Sequence, residues 1–330
     1  MAGQFGSKFA SHYATSSFRN GCWTPGEIVP VAKLLLHPAA HVLHYGSTCF
    51  EGLKAYRHED GSVHIFRLDR HVERMRNSAR LLCLPEPDEE HLSRTICGLV
   101  AASRDEVPAY PSALYLRPVL IGVDPNIGSA ARPSDDALLY VLASPVGEYF
   151  QAGENPLRLW LEDRQMRTTP EFGEVKTGGN YASALRHVMQ AKENHGVDQV
   201  LFCPNGDVQE TGAANFLLLN DEAVITKRLD GSILPGITRA SILELARQAG
   251  YRVEERDIDI AEMLEWVKTG EAALSGTAAV LAGVGALLHG THEYPVNGGQ
   301  IGANTKRLRT LLMDIHSGRR PDSAGWLTKI

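Results

Sequence analysis

Val175-Lys176-Thr177-Gly178-Gly179-Asn180-Tyr181 sets one lysine directly ahead of a Gly-Gly pair, and residues Tyr181 to Asn194 then read as a helix. Glycine lets the backbone turn sharply and approach a ligand closely. A lysine held at such a turn is a candidate Schiff-base nucleophile, although most lysines in this setting are solvated surface groups. Lysine is also scarce here, since the 33 basic residues are 24 Arg and 9 Lys. The other eight lysines carry no recognisable chemistry and read as surface groups.

Downstream of the lysine, three further stretches invite chemistry. Gln209-Glu210-Thr211-Gly212-Ala213-Ala214-Asn215-Phe216 places a carboxylate at the mouth of a strand, where it is either solvated or needed by a protonated ring nitrogen. Leu234-Pro235-Gly236-Ile237-Thr238-Arg239 feeds a helix with Ile242, Leu245, Ala246 and Ala249 on one face and Gly250 at its end. Thr238 is a candidate cap, and the backbone N–H groups there suit a phosphate. Ser275-Gly276-Thr277-Ala278-Ala279 repeats that small-residue theme.

Upstream, His44-Tyr45-Gly46 and Phe50-Glu51-Gly52 surround small residues with aromatic ones. His64-Ile65-Phe66 reads as a strand, followed by a helix with Asp69 as cap and Val72, Met75, Ala79 and Leu82 at helical spacing. Arg74 lies on that helix and is long enough to reach a phosphate. Residues 88–103 repeat the helical pattern, and Leu114–Ile121 and Ala137–Ala143 read as strands. Within the first of these, Tyr115-Leu116-Arg117-Pro118 puts Tyr115 and Arg117 on one face. An arginine on an apolar strand is costly unless paired, which makes it a candidate for a ligand carboxylate.

Further strands are expected at Leu157–Leu161, Gln199–Cys203 and Phe216–Leu219, and a last helix near Lys306–Ile315. Grouped strands with helices set between them suggest an α+β fold. The pattern breaks near Ser144–Tyr149, which sets expected boundaries at 1–149 for a first domain, 150–156 for a connecting loop and 157–330 for a second domain. Residues 1–30 are polar and Gly-rich, an ordered arm or a frayed end.

With 330 residues, 43% hydrophobic and 22% charged, the composition is that of an ordinary globular chain of about two domains. The net charge of −6 lacks the basic excess that a non-specific nucleic-acid surface requires. The five cysteines are scattered with no close pair, which argues for free thiols in a reducing, cytoplasmic setting and against a zinc site; no metal is expected. No signal pattern opens the sequence, and the longest apolar stretch, Ala278 to Leu288, is too short for a bilayer.

Taken in order, HYG–FEG, the Arg74 helix, YLRP, VKTGGNY, the Glu210–Asn215 spacing, LPGITR and SGTAA resemble the branched-chain amino acid aminotransferases, members of the fold-type IV enzymes that use pyridoxal 5′-phosphate (PLP). The resemblance runs from about Val42 to Trp326. It implies a small N-terminal α/β domain, a larger C-terminal domain, the cofactor between them, and a homodimer or higher oligomer in which each site borrows residues from its neighbour. It also implies a soluble enzyme whose partners are amino acids and 2-oxo acids, with no nucleic acid and no membrane.

Residue by residue, the resemblance makes Lys176 the Schiff-base lysine that also moves the proton between the substrate Cα and the cofactor C4′. Glu210 is implied to pair with the pyridine nitrogen and Tyr181 to bond the 3′-oxygen. Arg74, Ile237, Thr238 and Thr277 are implied to hold the phosphate, and Leu234 to lie against the ring. Thr277, Ala278 and Tyr115 are implied to receive the α-carboxylate. Tyr45, Phe50 and Tyr149 are implied to wall the side-chain pocket, and Arg117 to take the distal carboxylate of glutamate. The expected activity is transamination of Leu, Ile and Val with 2-oxoglutarate. The alternatives are a fold-type IV transaminase of another substrate (D-amino acid or secondary metabolism), an aminodeoxychorismate lyase or a non-catalytic binding homologue. Three departures from the family stand out, one being the interior of Gln209–Asn215, which keeps the Glu and Asn spacing but differs from the commonest versions. Ala278–Ala282 lacks the CxxC redox switch of the mammalian-type enzymes, and Gly283-Val284-Gly285 stands where Pro-Val is common.

Overall fold

The computed structural model describes residues 5–128, 130–147 and 155–330. The chain divides into two compact units, one of Met1–Glu148, Val175–Gly178 and Ile315–Ile330, the other of Tyr149–Glu174 and Gly179–Asp314. The first contains β1 (His12–Arg19), β2 (Cys22–Trp23), β3 (Glu27–Pro30), α1 (His41–Tyr45), β4 (Thr48–Phe50), β5 (Leu53–Arg57), β6 (Val63–Phe66), α2 (Leu68–Leu81), α3 (Glu89–Ala102), β7 (Ala113–Gly122) and β8 (Ala137–Val146). There follow β9 (Leu157–Glu162), α4 (Gly178–His195), β10 (Gln199–Phe202), β11 (Asn215–Leu219), β12 (Ala223–Thr226), α5 (Ile237–Gln248), β13 (Arg252–Glu255), α6 (Ile260–Trp266), β14 (Glu271–Gly276), β15 (Val280–His289), β16 (His292–Pro295), α7 (Ala303–His316) and β17 (Leu327–Lys329).

The first unit is built on a nine-stranded antiparallel sheet in the order β17-β6-β5-β7-β8-β1-β2, with β3 on β1 and β4 on β7. Helix α3 starts where the Asp88 side chain accepts the His91 N–H at 2.7 Å. It buries Leu92, Ile96, Leu99 and Val100 in the same core as Leu68, Val72, Met75 and Ala79 of α2. The adjoining face of α2 carries His71, Arg74 and Ser78, all buried and spaced to project together. Asp69 lies inside the first turn of α2 rather than at its cap, which is Arg67 in the left-handed region. Of the two readings of residues 1–30, an ordered arm or a frayed end, the ordered one holds over strand β1, which pairs to β8 on one side and to β2 and β3 on the other.

Strand β8 continues through Pro145 to Val146, past the expected break, because β7 is long enough to pair with it throughout. Proline is tolerated there since β1 pairs β8 only along Ala137–Val141, so the missing N–H faces no partner strand. Pro118 of β7 likewise falls between the segments paired to β4 and β5, and its carbonyl accepts the Glu51 N–H at 2.8 Å. That arrangement fixes the Phe50-Glu51-Gly52 turn.

The second unit holds an eight-stranded mixed sheet, β10-β9-β15-β14-β11-β12-β13, with β16 on β15. Its core joins Leu159, Leu161, Phe216, Leu218, Ile225, Leu274 and Leu287 across neighbouring strands. Two of the lysines read as surface groups are buried: Lys54 on β5, and Lys227, which pairs with Asp207, Asp230 and Asp257. Among the described residues no helix is long and apolar enough to cross a membrane. No group of three or more His, Cys, Asp or Glu among them is arranged to hold a metal.

Candidate active site

Within the first unit, the segment that carries Lys176 is held by its backbone. The Lys176 N–H donates to Ser78 Oγ at 3.0 Å, and the Phe50 N–H donates to the Lys176 carbonyl at 3.0 Å. The Lys176 Nζ lies 5.0 Å from the centroid of the Phe50 ring. An ammonium over an aromatic face is favoured by about 0.5–1 kcal/mol where solvent reaches it. The Arg117 guanidinium also lies against Phe50, 4.7 Å from its centroid, and 5.3 Å from that of Tyr115, whose hydroxyl accepts Nη2 at 2.8 Å. The Nε of Arg117 is buried without a hydrogen-bond partner. A Cβ on Gly52 would sit 2.1 Å from the Tyr115 Oη, so glycine is what lets the tyrosine enter. Lys176, Phe50, Tyr115 and Arg117 are therefore brought together.

Behind this group lies a buried charge cluster that the sequence reading missed. Glu51, 1% exposed, accepts His71 Nδ1 at 2.6 Å and Arg74 Nε and Nη2 at 2.7 and 2.9 Å. Burial pushes the Glu51 carboxyl up, but Arg74 and His71 pull it further the other way, to well below the usual range. Burial likewise depresses His71, against the pull of Glu51 in the opposite direction. The cluster is thus a buried carboxylate held between the Arg74 guanidinium and the His71 ring, whose Nδ1 faces it. A carboxylate between Phe50 and Gly52 in an otherwise apolar stretch was the available signal.

Tyr45 lies on α1. It is 36% exposed, its ring lies 4.8 Å from that of His41, and its hydroxyl donates to the Ile127 carbonyl. Tyr149 lies outside the described residues.

In the second unit, Glu210 and Asn215 face each other across an isolated antiparallel bridge, closed by the Thr211 N–H to the Ala214 carbonyl at 3.0 Å. This explains their spacing. Glu210 is 3% exposed, and its Oε1 accepts the Leu234 N–H at 2.9 Å and lies 2.6 Å from Arg167 Nη2. Its Oε2 accepts Asn215 Nδ2 at 2.8 Å. The same Nδ2 reaches the Leu234 carbonyl at 2.9 Å, and a Cβ on Gly236 would fall 1.9 Å from Asn215 Oδ1. Arg167 was not found from sequence, where nothing periodic distinguishes it.

Helix α5 begins at Ile237 with Gly236 as its cap, so Thr238 is inside the first turn rather than capping it. That turn holds no acid, and its leading N–H groups form the positive end of the helix. Thr277 and Ala278 occupy the turn between β14 and β15. Val280, which closes the turn, has φ +64°, a strained conformation for a β-branched residue costing about 1–3 kcal/mol. Ser275 Oγ, near the end of β14, is buried without a partner. Tyr181 lies half-buried in the first turn of α4.

The class IV aminotransferase family profile matches residues 48–287. A probable branched-chain-amino-acid aminotransferase of Streptomyces coelicolor is 38% identical over 333 residues, covering 98% of this chain and 91% of that protein. The crystal structure of a branched-chain amino acid aminotransferase from T.th. with pyridoxamine 5′-phosphate superposes with a TM-score of 0.81 at 28% identity, covering 98% of this chain and 99% of that one. The same enzyme complexed with N-(5′-phosphopyridoxyl)-L-glutamate gives 0.80 at 27% identity, with the same coverage of both chains.

Proposed function

The chain belongs to the class IV aminotransferases, and from that premise we propose that it transfers the amino group of L-leucine, L-isoleucine and L-valine to 2-oxoglutarate, with PLP as cofactor and Lys176 as the covalent anchor. The observation that carries the reading is the Arg117 guanidinium set against the Phe50 and Tyr115 rings with a buried, unpartnered Nε. An aromatic wall accepts a branched aliphatic side chain, while one fixed cation accepts the distal carboxylate of glutamate. Apolar walls distinguish single methylenes by only about 1–3 kcal/mol, so all three branched substrates are expected to react.

The residues fit PLP. Glu210 supplies a buried carboxylate suited to a ring N–H. The acid-free first turn of α5, at Ile237 and Thr238, and the unpartnered Ser275 hydroxyl near Thr277 suit a phosphate. Arg74 would add a guanidinium to that phosphate, Tyr181 a hydroxyl to the 3′-oxygen and Leu234 an apolar contact to the ring. When bound, PLP supplies an electron sink for the pair left when the substrate Cα loses its proton. Lys176 accepts that proton as the free amine and delivers it to the cofactor's C4′. Ser78 and Phe50 orient the lysine backbone for both tasks. Thr277, Ala278 and Tyr115 receive the α-carboxylate, and Phe50 and Tyr149 exclude water around the side chain. Tyr45, partly exposed, walls the side-chain pocket in a homodimer whose sites borrow residues from the neighbouring copy.

The test is a half-reaction panel on the PLP-loaded protein, read as loss of its visible absorption band. L-Leucine, L-isoleucine, L-valine and L-glutamate are expected to bleach it, and Lys176→Ala to lack it. Bleaching by D-alanine but not L-leucine overturns the substrate assignment. Arg117→Leu is expected to slow the 2-oxoglutarate half-reaction more than the leucine one; equal losses would make Arg117 a structural residue.

A further inference from the structure

Arg167 and Glu210 form an ion pair at 2.6 Å in which both side chains are almost wholly buried. Removing two charges from water costs several kcal/mol per ion, so such a pair contributes little net stability and a well-packed apolar pair does as well. Its retention calls for another explanation. The geometry around it is closely specified. The Arg167 Nη2 also donates to the Gly173 carbonyl at 3.0 Å, and the Arg167 carbonyl accepts Ser183 Oγ of α4 at 2.6 Å. The Gly173 N–H donates to the Gly231 carbonyl at 2.8 Å, and a Cβ there would lie 2.2 Å from the Ser232 carbonyl oxygen. The loop that presents Arg167 is thus stapled to the segment that presents the Leu234 N–H, and the two donors arrive together at Glu210 Oε1.

Resting on the assignment of Glu210 to the ring nitrogen of PLP, we propose that Arg167 is a positioning residue that keeps the Glu210 carboxylate anionic and oriented, so that the proton shared with the ring nitrogen stays on the nitrogen. A carboxylate stripped of water favours its neutral form. Left alone in this dry site, Glu210 would compete for the very proton it is there to hold in place. A guanidinium against one carboxylate oxygen stabilises the anion more than it destabilises a pyridinium beyond it, because Coulomb energy falls with distance. Asn215 on the other oxygen fixes the carboxylate plane without adding charge. Arginine suits the task because its charge is permanent, and its single Nη2 reaches both Glu210 and the Gly173 carbonyl.

The experiment reads protonation rather than turnover. Wild-type protein, R167Q, R167K, E210Q and R167Q/E210Q are each loaded with PLP labelled with nitrogen-15 in the ring, and the ring-nitrogen chemical shift is recorded by NMR beside the PLP dissociation constant. The wild type is expected in the pyridinium range and E210Q in the neutral pyridine range. R167Q is expected to move towards the neutral range, and R167K, which keeps the charge, to stay with the wild type. R167Q/E210Q is expected to match E210Q, because the arginine acts only through the carboxylate. A wild-type shift in R167Q overturns the proposal, as does a change in the double variant beyond E210Q. Should R167Q not fold, R167K decides: a neutral nitrogen there, with the charge still present, overturns it. Identical shifts in wild type and E210Q instead refute the Glu210 assignment and remove the basis for the Arg167 role with it.

Discussion

Glu51→Gln isolates the buried cluster behind Lys176. The carboxylate accepts four N–H groups, one from His71, two from Arg74 and one from the Gly52 backbone, at 2.6–3.1 Å. The amide keeps one acceptor oxygen and turns an NH2 group towards the other donors, and it leaves Arg74 a buried cation with its anion gone. Breaking a buried pair by removing one partner costs about 3–5 kcal/mol. At about 2–4 °C per kcal/mol for a folded unit of this size, Tm falls by roughly 6–20 °C. Differential scanning calorimetry of the protein without PLP measures it apart from any cofactor effect. The internal control is Glu51→Gln combined with Arg74→Met, which removes the stranded charge. The double variant is expected to regain part of the loss, with a coupling energy of about 1–3 kcal/mol. A Tm change below about 2 °C in Glu51→Gln, or strict additivity in the double variant, refutes the view that Glu51 and Arg74 form one coupled unit.

Acid should destabilise the protein in two stages. His64, His71 and His91 are all depressed in the folded state, by burial first, so below about pH 6.5 the unfolded chain takes up protons that the folded one refuses, and stability falls. Glu51, also depressed, adds stability above the ordinary carboxyl range that is lost as pH falls below about 4.3. A Tm that stays flat from pH 7 to 5 contradicts the first stage, and His71→Gln should shallow it. With a thiol reagent, the exposed Cys22 and Cys83 should react in the native state, whereas Cys49 and Cys203, buried and with thiols pushed far up by desolvation, should react only after unfolding; early modification of Cys49 would contradict its burial. Gly236→Ala forces a methyl into the space of Asn215 Oδ1, at a cost of about 1–3 kcal/mol, and should weaken PLP binding by displacing a Glu210 partner. A titration of the cofactor-free protein that matches wild type would show that Asn215 is not needed there.

How much of this was legible depended on whether a signal was local. Helices α3, α4 and α5 and strands β7, β9 and β11 follow from apolar spacing and from turn residues within a few positions. The pairing of Tyr115 with Arg117 followed from the period of a strand alone. The start of helix α5 was visible because Pro-Gly before a patterned helix is a short-range signature, although Gly236 and not Thr238 turned out to cap it. What stayed hidden is long-range. Glu51 meets His71 and Arg74 only after β4, β5 and α2 have packed, and Arg167 meets Glu210 only through a loop with no periodicity. Lys227 shows the same limit: besides its local partner Asp230, its burial rests on Asp207 and Asp257, which reach it from separate parts of the chain.

Strand β17 has a consequence for the order in which the protein is made. It forms the outer strand beside β6, pairing Leu327–Lys329 with His64–Phe66, yet the ribosome reaches it only after the whole second unit has been synthesised. At about 5–20 residues per second, the nascent first unit waits many seconds with one side of β6 unpaired. An open strand edge invites pairing with other chains. The partly made protein therefore passes through an interval of exposure that the finished one does not have. Chaperone demand and loss to aggregation should concentrate there, and a slower message over the second unit should worsen the yield of folded protein without changing a single residue.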